Sequence, residues 1–413
     1  MSTASVSSDS QVILLLCTRL ALPQRTSALE PLSRSEWNDV ARAIDASSFK
    51  RPGALLGADA SSLARELNVT PPLSERISAL LARGGQLAIE LERLQTLGIW
   101  ALTRVDPLYP PRLKERLKGY APPAIFGAGP PETLHHRGIA IVGSRDVDEP
   151  GSAFAAELGR LCARSRVSVF SGGARGVDRL ASEGALEQGG QTVSVLADSL
   201  QDSLRRRDLR NAVLSGRLTL ISPFSPAARF TIAAAMGRNK LIYALSSAAV
   251  VVSSALETGG TWAGAIENLR AGWVPLFVRD GQEVPAGNRE LIKRGGRAIR
   301  LEELGSSLDA IFEAPALPQA SHARESGPSY AAVENEPDAS IDLFLSMWPR
   351  LAAFLVKPRT EAEVADAFRL QKAQTKAWLQ RAVDQGLARK LSKPARFERI
   401  NAADDSQASL FET

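Results

Sequence analysis

The chain has 413 residues, of which 44% are hydrophobic and 23% are charged, so its composition excludes a disordered protein and leaves room for two or three domains. Its 50 lysine and arginine residues outnumber 45 acidic ones and give a formal net charge of +5, which favours an anionic partner. Only two cysteines are present, Cys17 and Cys162, which excludes a disulfide framework or a cysteine-built zinc site and indicates a reducing, cytoplasmic compartment.

The first part of the chain, to about residue 105, shows the periodicity of helices. Its apolar run at residues 12–17 is too short to span a membrane and lacks a signal-peptide pattern, so we expect buried structure and no membrane association. Ser33 and Glu36 form a capping-box pattern. Further helices are predicted at residues 61–68, 73–82 and 87–97, and a strand at residues 99–103. We interpret residues 1–105 as a helical domain of the SAM or helix-hairpin kind that serves packing or assembly.

From residue 106 to residue 312 the pattern becomes strand, glycine-containing turn and amphipathic helix, repeated. Predicted strands lie at residues 139–142, 167–170, 192–196, 218–221, 248–252 and 274–278. Continuous apolar strands of this kind are typical of a parallel sheet that helices cover on both faces. The sequence therefore predicts an α/β fold with a Rossmann-like, doubly wound and mostly parallel sheet.

Two of these strands end in loops that combine glycines with an arginine. The first loop contains Gly143, Ser144 and Arg145, and the second contains Gly172, Gly173, Arg175 and Gly176. At the carboxyl edge of a parallel sheet, glycines let backbone N–H groups approach an anion, and arginine donates paired hydrogen bonds to phosphate oxygens. Neither loop is the G-x-G-x-x-G fingerprint, so NAD and FAD are not expected. The alternative interpretation is a tight strand-to-helix turn without a ligand.

Catalysis or metal binding by histidine has little support in this sequence. The three histidines are His135, His136 and His322, and none lies in a glycine-rich segment or at a metal-ligand spacing from another candidate. We therefore expect no catalytic residue, no metal and no cofactor.

The C-terminal part begins after a segment at residues 313–340 that is rich in Pro, Ala, Ser and Glu and predicts a flexible linker. Helices are predicted at residues 341–355, 361–368 and 375–385, and short strands at residues 387–391 and 397–400. This order predicts a winged helix over residues 341–401. Its third helix offers Lys372, Lys376 and Arg381, and both DNA binding and docking on a protein remain open.

Residues 402–413 form a polar tail that we expect to be disordered. The tail carries Gln407, Leu410 and Phe411, which resemble the pentapeptide that bacterial DNA-metabolism proteins insert into the pocket of the sliding clamp. The DNA sliding clamp is therefore a predicted partner.

Motifs in a fixed order across nearly the whole chain resemble those of the DprA/Smf family of single-stranded DNA-binding proteins. They lie at residues 99–113, 122–127, 142–145, 171–178, 190–196, 237–240, 258–265 and 287–295. The resemblance implies a non-enzymatic homodimer that protects single-stranded DNA and loads a RecA-type recombinase in natural transformation or recombination. It also implies a positively lined pocket that grips successive phosphates. The residues of that pocket would be Gly143, Ser144, Arg145, Ser171, Gly172, Gly173, Arg175, Arg238, Asn239, Lys240, Gly259 and Gly260.

Two other functions are compatible with the same fold. One is an enzyme resembling the nucleoside-monophosphate phosphoribohydrolases, but Trp262 stands where their loop needs glycine and Glu267 lies too far along the next helix to supply the carboxylate. The other is a nucleotide-binding sensor, in which the pocket holds one mononucleotide and the winged helix reports its occupancy.

Overall fold

The computed structural model describes residues 6–22, 29–304, 307–313, 348, 351–368, 372–384, 387–391 and 396–399. The chain forms two compact units, Met1–Asn335 and Glu336–Thr413. The division between them falls within residues 313–340, where the sequence predicts a linker. Gln407, Leu410 and Phe411 of the predicted clamp-binding tail lie outside the described residues.

The N-terminal residues form the helices α1 (Ser8–Cys17), α2 (Arg34–Ala46), α3 (Ala60–Leu67), α4 (Pro71–Leu81) and α5 (Gly84–Thr96). The apolar run of α1 is buried in the core of this region, as predicted. The predicted capping box is present at α2, where Ser33 N donates to Glu36 Oε2 at 2.7 Å and Glu36 N donates to Ser33 Oγ at 3.2 Å. The box satisfies two N–H groups that the start of a helix leaves without partners.

A nine-stranded sheet forms the centre of the first unit. Its strands are β1 (Trp100–Thr103), β2 (Ala124–Ala128), β3 (Gly138–Gly143), β4 (Ser168–Ser171), β5 (Thr192–Val195), β6 (Leu218–Ser222), β7 (Ala248–Ser253), β8 (Leu276–Arg279) and β9 (Arg297–Ile299). They lie in the order β1-β2-β6-β5-β4-β3-β7-β8-β9. The seven strands from β6 to β9 in this order are parallel, whereas β1 and β2 add an antiparallel edge.

Helices cover both faces of the sheet. They are α6 (Pro111–Leu117), α7 (Glu149–Arg164), α8 (Val177–Glu187), α9 (Leu200–Arg205), α10 (Arg207–Leu214), α11 (Ile232–Leu245), α12 (Gly259–Ala271), α13 (Ala286–Lys293), α14 (Leu301–Leu304) and α15 (Asp309–Phe312). Along β3, Ile139 and Ile141 pack with α7 and α8, while Ala140 and Val142 pack with α6, α11 and α12. Alternate residues thus enter cores on opposite faces, which confirms the predicted α/β, doubly wound and mostly parallel sheet.

The antiparallel edge was only partly predicted. Strand β1 was expected, but it belongs to the sheet although it precedes residue 105, because it pairs with β2 in a register that places Trp100 opposite Gly127. The core of the N-terminal helices continues onto this edge through Phe126, Leu218 and Leu220. None of the helices in the described ranges is both long and apolar enough to cross a membrane.

In the second unit, residues 351–354 are helical and precede α16 (Glu361–Phe368), α17 (Lys372–Asp384), β10 (Ala388–Leu391) and β11 (Arg396–Arg399). The two strands form an antiparallel hairpin. Leu355, Leu379 and Phe397 are buried in a separate small core. The order of three helical segments and a hairpin is that of a winged helix, as predicted.

Candidate functional site

The two glycine–arginine loops meet at the point where the strand order of the sheet reverses. The loop after β3 and the loop after β4 are neighbours at the carboxyl edge, and β7 lies on the other side of β3. Chain connections run in opposite directions on the two sides of β3, which leaves a crevice above it. In open α/β sheets, ligands bind at this topological switch point.

Close packing fixes the two loops against each other and against β7. Ser144 N donates to Ser253 O at 2.9 Å, and Val177 N donates to Ser144 O at 3.2 Å. Gly176 has a φ of +84°, and a Cβ there would overlap the carbonyl oxygen of Ser144. Glycine is therefore required at this position both for its backbone conformation and for its size.

A buried arginine on α11 supports the second loop from below. Arg238 is buried, and its Nη2 donates to Gly172 O at 3.0 Å, while Gly172 N donates to Oδ2 of the buried Asp178 at 2.9 Å. Burial raises the pKa of the Asp178 carboxyl above its usual value, although the nearby guanidinium and backbone N–H groups act in the opposite direction. Arg238 thus binds the backbone carbonyl of Gly172, and Asp178 binds its backbone N–H.

A cavity of about 580 Å³ opens above these residues. Its walls come from β3 and its loop, α11, the end of β7 and the first turn of α12. The lining includes seven of the twelve predicted pocket residues: Gly143, Ser144, Arg145, Arg238, Asn239, Gly259 and Gly260. The structure therefore brings together, in one cavity, residues that are separated by more than a hundred positions in the sequence.

A second, more open groove of about 610 Å³ lies beside this cavity. Arg145 lines both, and it is joined in the groove by Arg175 and Arg179. Arg175 forms an exposed ion pair with Asp146, and Arg179 pairs with Glu183 at 2.7 Å. Asp146, Asp148 and Glu183 also line the groove, so its three guanidinium groups are matched by three carboxylates. Exposed ion pairs contribute little and can exchange partners, so an anionic ligand could displace these carboxylates from Arg175 and Arg179.

The helices α11 and α12 meet at the far wall of the cavity. Asn239 Nδ2 donates to Gly260 O at 3.1 Å, which ties α11 to the first turn of α12. Gly259 has a φ of +81°, a conformation in which a side chain would be strained. Asn239 therefore links two wall elements with one of the two hydrogens of its amide nitrogen.

Four of the predicted pocket residues line neither the cavity nor the groove: Ser171, Gly172, Gly173 and Lys240. Lys240 points away because it follows Arg238 by two residues, or about 200° around a helix. Its Nζ lies 3.6 Å from Glu267 Oε1 and 5.4 Å from the centre of the Tyr120 ring. Ser171 is buried with its Oγ 3.2 Å from Ser182 Oγ, and Gly172 and Gly173 shape the loop.

Sequence reasoning missed the apolar mouth of the cavity. Phe230, Ile232 and Met236 line it and are exposed, and the guanidinium of Arg145 lies 5.6 Å from the centre of the Phe230 ring. Apolar residues near the start of a helix normally indicate core packing. No sequence signal distinguishes these three residues from core residues, since their exposure depends on the position of α11 over the sheet.

Glu267, the carboxylate considered for the alternative enzyme, is not among the residues that line the cavity. It lies on α12 beside Lys240. In the ranges that the structure describes, no three His, Cys, Asp or Glu side chains are grouped so that they could hold a metal ion. The donor groups around the cavity are backbone N–H groups, hydroxyls and guanidinium groups, which are suited to oxygen anions.

Residues 100–310, about half of the chain, match the family described as DNA recombination-mediator protein A. The chain belongs to this family. A putative DNA processing protein DprA from Mycobacterium tuberculosis is 30% identical over 194 residues, which are 44% of this chain and 48% of that protein. Protein Smf from Escherichia coli is 32% identical over 156 residues, covering 37% of this chain and 40% of that protein. The chain spans about half the length of the curated relatives that it matches.

The fold of this family member is also found in a solved structure. DNA processing protein A from Streptococcus pneumoniae superposes with a TM-score of 0.53 at 18% sequence identity, over 71% of this chain and 95% of that one. At this identity the likeness concerns the fold. The predicted membership of the DprA/Smf family is confirmed by the sequence matches.

Proposed function

We propose that this protein binds single-stranded DNA at the switch-point crevice and acts as a mediator of recombination. The observation that carries the proposal is the position of Arg145, which lines both the enclosed cavity and the open groove. A strand that follows the groove would place successive phosphates near Arg145, Arg175 and Arg179. Membership of a family described by recombination mediation supports the same function.

The chemistry of the crevice favours sequence-tolerant binding. Its donors are backbone N–H groups of the glycine loops and guanidinium groups, which bind phosphate oxygens and not base edges. The exposed aromatic ring of Phe230 at the cavity mouth offers a stacking surface to any base. A single strand can present both its phosphates and its unpaired bases to such a site, whereas a duplex keeps its bases stacked inside.

The finer parts of the function are proposals on the same basis. We propose that the protein acts without catalysis in the cytoplasm, as a homodimer that passes the bound strand to a RecA-type recombinase. The family description supports the mediator role, and the engagement of Glu267 with Lys240 supports a non-enzymatic site. The sequence of the tail at Gln407, Leu410 and Phe411 supports docking on the sliding clamp. Deleting residues 407–413 should then abolish clamp association and leave DNA affinity unchanged.

The test of strand binding is fluorescence anisotropy of the full chain with a labelled oligo-dT strand and with a duplex, each at two salt concentrations. We expect tighter binding of the single strand and a steep loss of affinity with salt, because bound phosphates release counterions. The double variant R145E/R175E should bind at least about tenfold more weakly, since each replacement reverses a charge in the groove.

A charge-reversal control outside the crevice is R42E, which changes the net charge by two units per replaced residue, as each replacement in the double variant does. Arg42 is an exposed arginine on α2 that pairs with Asp39, much as Arg175 pairs with Asp146. Reversal of its charge changes the net charge without touching the crevice, so strand affinity should stay close to that of the wild type. Equal losses in R42E and R145E/R175E would contradict the site. Absence of strand binding by the wild type would contradict the function.

A further inference from the structure

We propose that the cavity above β3 binds one nucleoside monophosphate, with its phosphomonoester between Arg238 and the start of α12 and its base at the apolar mouth. The ligand is either a free mononucleotide or the phosphorylated terminal nucleotide of a DNA strand. The inference rests on the proposed function for the second of these sources, because the strand would continue from the cavity into the arginine-lined groove.

The first observation is the start of α12, a helix of 13 residues. Its N-cap residue, Thr258, makes no side-chain hydrogen bond to the first turn, whereas Asp148 caps α7 and Thr231 caps α11. Thr258, Gly259, Gly260 and Thr261 all line the cavity. The N–H groups of the first turn and the positive end of the helix dipole therefore face a space that can hold an anion.

The second, independent observation is Arg238, which also lines the cavity. Only 6% of this residue is exposed. Its single hydrogen bond within the described part of the chain is from Nη2 to Gly172 O, and its Nε has no partner there. A guanidinium can donate five hydrogen bonds, and buried donors are normally satisfied. Nε is shielded from the cavity, but an oxygen anion beside the exposed part of Arg238 would accept hydrogen bonds from Nη hydrogens that are not used in the bond to Gly172 O.

One carboxylate, Asp178, lines the same cavity and bears on whether an anion can enter. Its Oδ2 accepts the N–H of Gly172 at 2.9 Å, so this oxygen is occupied by the loop. Arg238 and Arg145 both line the cavity as well. The cavity lining thus carries two guanidinium groups and the positive end of α12, but one carboxylate. The electrostatic potential in the cavity is therefore positive.

The mouth of the cavity differs chemically from its bottom. Phe230 is 48% exposed, Ile232 is 73% exposed and Met236 is 40% exposed, and the three line the same cavity as Arg238. Apolar surface at the entrance of a polar pocket indicates a ligand with an apolar face. A nucleoside monophosphate has this division, since its base stacks on aromatic and apolar side chains while its phosphate takes hydrogen bonds.

The closed end of the cavity favours a phosphomonoester over a diester. Ile242 lies one turn after Arg238 on α11, and both line the cavity and are almost fully buried, so a phosphate held by Arg238 is closed in on this side and its covalent link would leave toward the mouth. A diester inside a continuous strand needs two exits. In a terminal nucleotide, the link to the rest of the strand would run past Arg145 into the groove, because Arg145 lines both the cavity and the groove.

The experiment measures displacement of a fluorescent dT strand and direct calorimetric binding, with the full chain. The probes are thymidine 5′-monophosphate, thymidine, inorganic phosphate, linear dT strands carrying a 5′-phosphate, a 3′-phosphate or neither, and a circular dT strand. We expect thymidine 5′-monophosphate to bind at least about tenfold more tightly than thymidine or phosphate, because only it uses both ends of the cavity.

The arms of the experiment separate the two sources and the two proposals. A preference for a phosphorylated linear strand over hydroxyl-ended and circular strands identifies the strand end as the ligand, whereas tight binding of the mononucleotide without that preference identifies the free nucleotide. If strand affinity does not depend on either end phosphate and thymidine 5′-monophosphate does not displace the strand, the inference is overturned and the proposed function stands. Mononucleotide binding without strand binding overturns the proposed function and supports the inference for the free nucleotide.

The variant pair I232E and I89E tests the location. Ile232 is 73% exposed at the cavity mouth, and Ile89 is 70% exposed on α5. Both replacements are at the surface, so both proteins should fold, as circular dichroism can verify. I232E should weaken thymidine 5′-monophosphate by about tenfold, because a carboxylate replaces apolar surface beside the base and repels the phosphate. I89E should bind as the wild type does, and equal affinities of the two variants overturn the location.

Discussion

Arg238 and Gly172 form a contact that leaves no room for a side chain on the glycine. Nη2 of Arg238 donates to Gly172 O at 3.0 Å, and a Cβ added to Gly172 would overlap the guanidinium. The loop after β4 therefore lies directly on a buried charged group of α11. This contact couples the shape of the crevice to the stability of the fold.

The variant G172A should lower the free energy of unfolding by about 1–3 kcal/mol, because the guanidinium must move and the overpacked region must adjust. Urea denaturation followed by circular dichroism measures this change. The matched control is G237A, since Gly237 precedes Arg238 on α11 and a Cβ there meets nothing within 4 Å. In that helical position alanine should raise the free energy of unfolding by about 0.5–1 kcal/mol. Equal stability of G172A and the wild type would contradict the contact.

The parallel part of the sheet could be predicted from the sequence because its strands are buried on both faces. The strands β3 to β8 are buried along almost their whole length and are rich in valine, isoleucine, leucine and alanine, and the strands that enter the site end in glycine or serine. The strands β2 and β9 were not predicted, since β2 contains a glycine and β9 has only three residues. In β2, Gly127 leaves space for the Trp100 ring of the neighbouring strand, but a glycine between alanine and phenylalanine is equally compatible with a turn.

The sequence predicted the part of the candidate site that depends on backbone conformation, which is the pair of glycine loops. Glycine followed by arginine at the end of a strand predicted the loops at Gly143 and Gly172, since few other roles require those residues together. The rotation of α11 depends on tertiary packing, so the sequence could not show that Arg238 is buried while Lys240 faces Glu267. The exposure of Ile232 depends on the same rotation.

Asn288 is predicted to stabilise the carboxyl edge beside the site. It is fully buried; its Oδ1 accepts Ser254 N at 2.8 Å, and its Nδ2 donates to Val252 O and Arg279 O at 3.0 Å each. N288A removes these three hydrogen bonds, and of the three backbone groups Val252 O keeps a bond from Arg279 Nε at 2.9 Å, so we expect a loss of about 2–4 kcal/mol in the free energy of unfolding. The exposed Asn211 is the control, and N211A should stay within about 0.5 kcal/mol of the wild type. A loss in N288A no larger than that would refute the role.

Cys162 is predicted to make stability depend on alkaline pH. Burial raises the pKa of its thiol from 9.0 to about 12. The unfolded thiol ionises above pH 9 while the folded one stays protonated, so this stabilising contribution is complete below pH 9 and is lost as pH rises toward 12. The difference in free energy of unfolding between wild type and C162A should therefore fall by about 1 kcal/mol from pH 9 to pH 10. Taking the difference cancels other titrating groups, and a constant difference would mean that the thiol is accessible to water.

The single variants R145A and K240A separate two basic residues that the resemblance to the family assigns to the pocket. Arg145 lines both the cavity and the groove, so R145A should weaken single-strand binding and lower the slope of log affinity against log salt by about one unit. Lys240 already lies beside Glu267 and over the Tyr120 ring, outside both spaces.

K240A should therefore leave the salt slope unchanged within error, and any loss of affinity should be smaller than that of R145A. Anisotropy titrations of both variants across four salt concentrations measure the two slopes under identical conditions. If K240A lost as much slope as R145A, Lys240 would have to leave Glu267 and reach a phosphate. The strand would then pass over the face of α11 that carries Lys240 and lies beside Tyr120, and not through the crevice above β3.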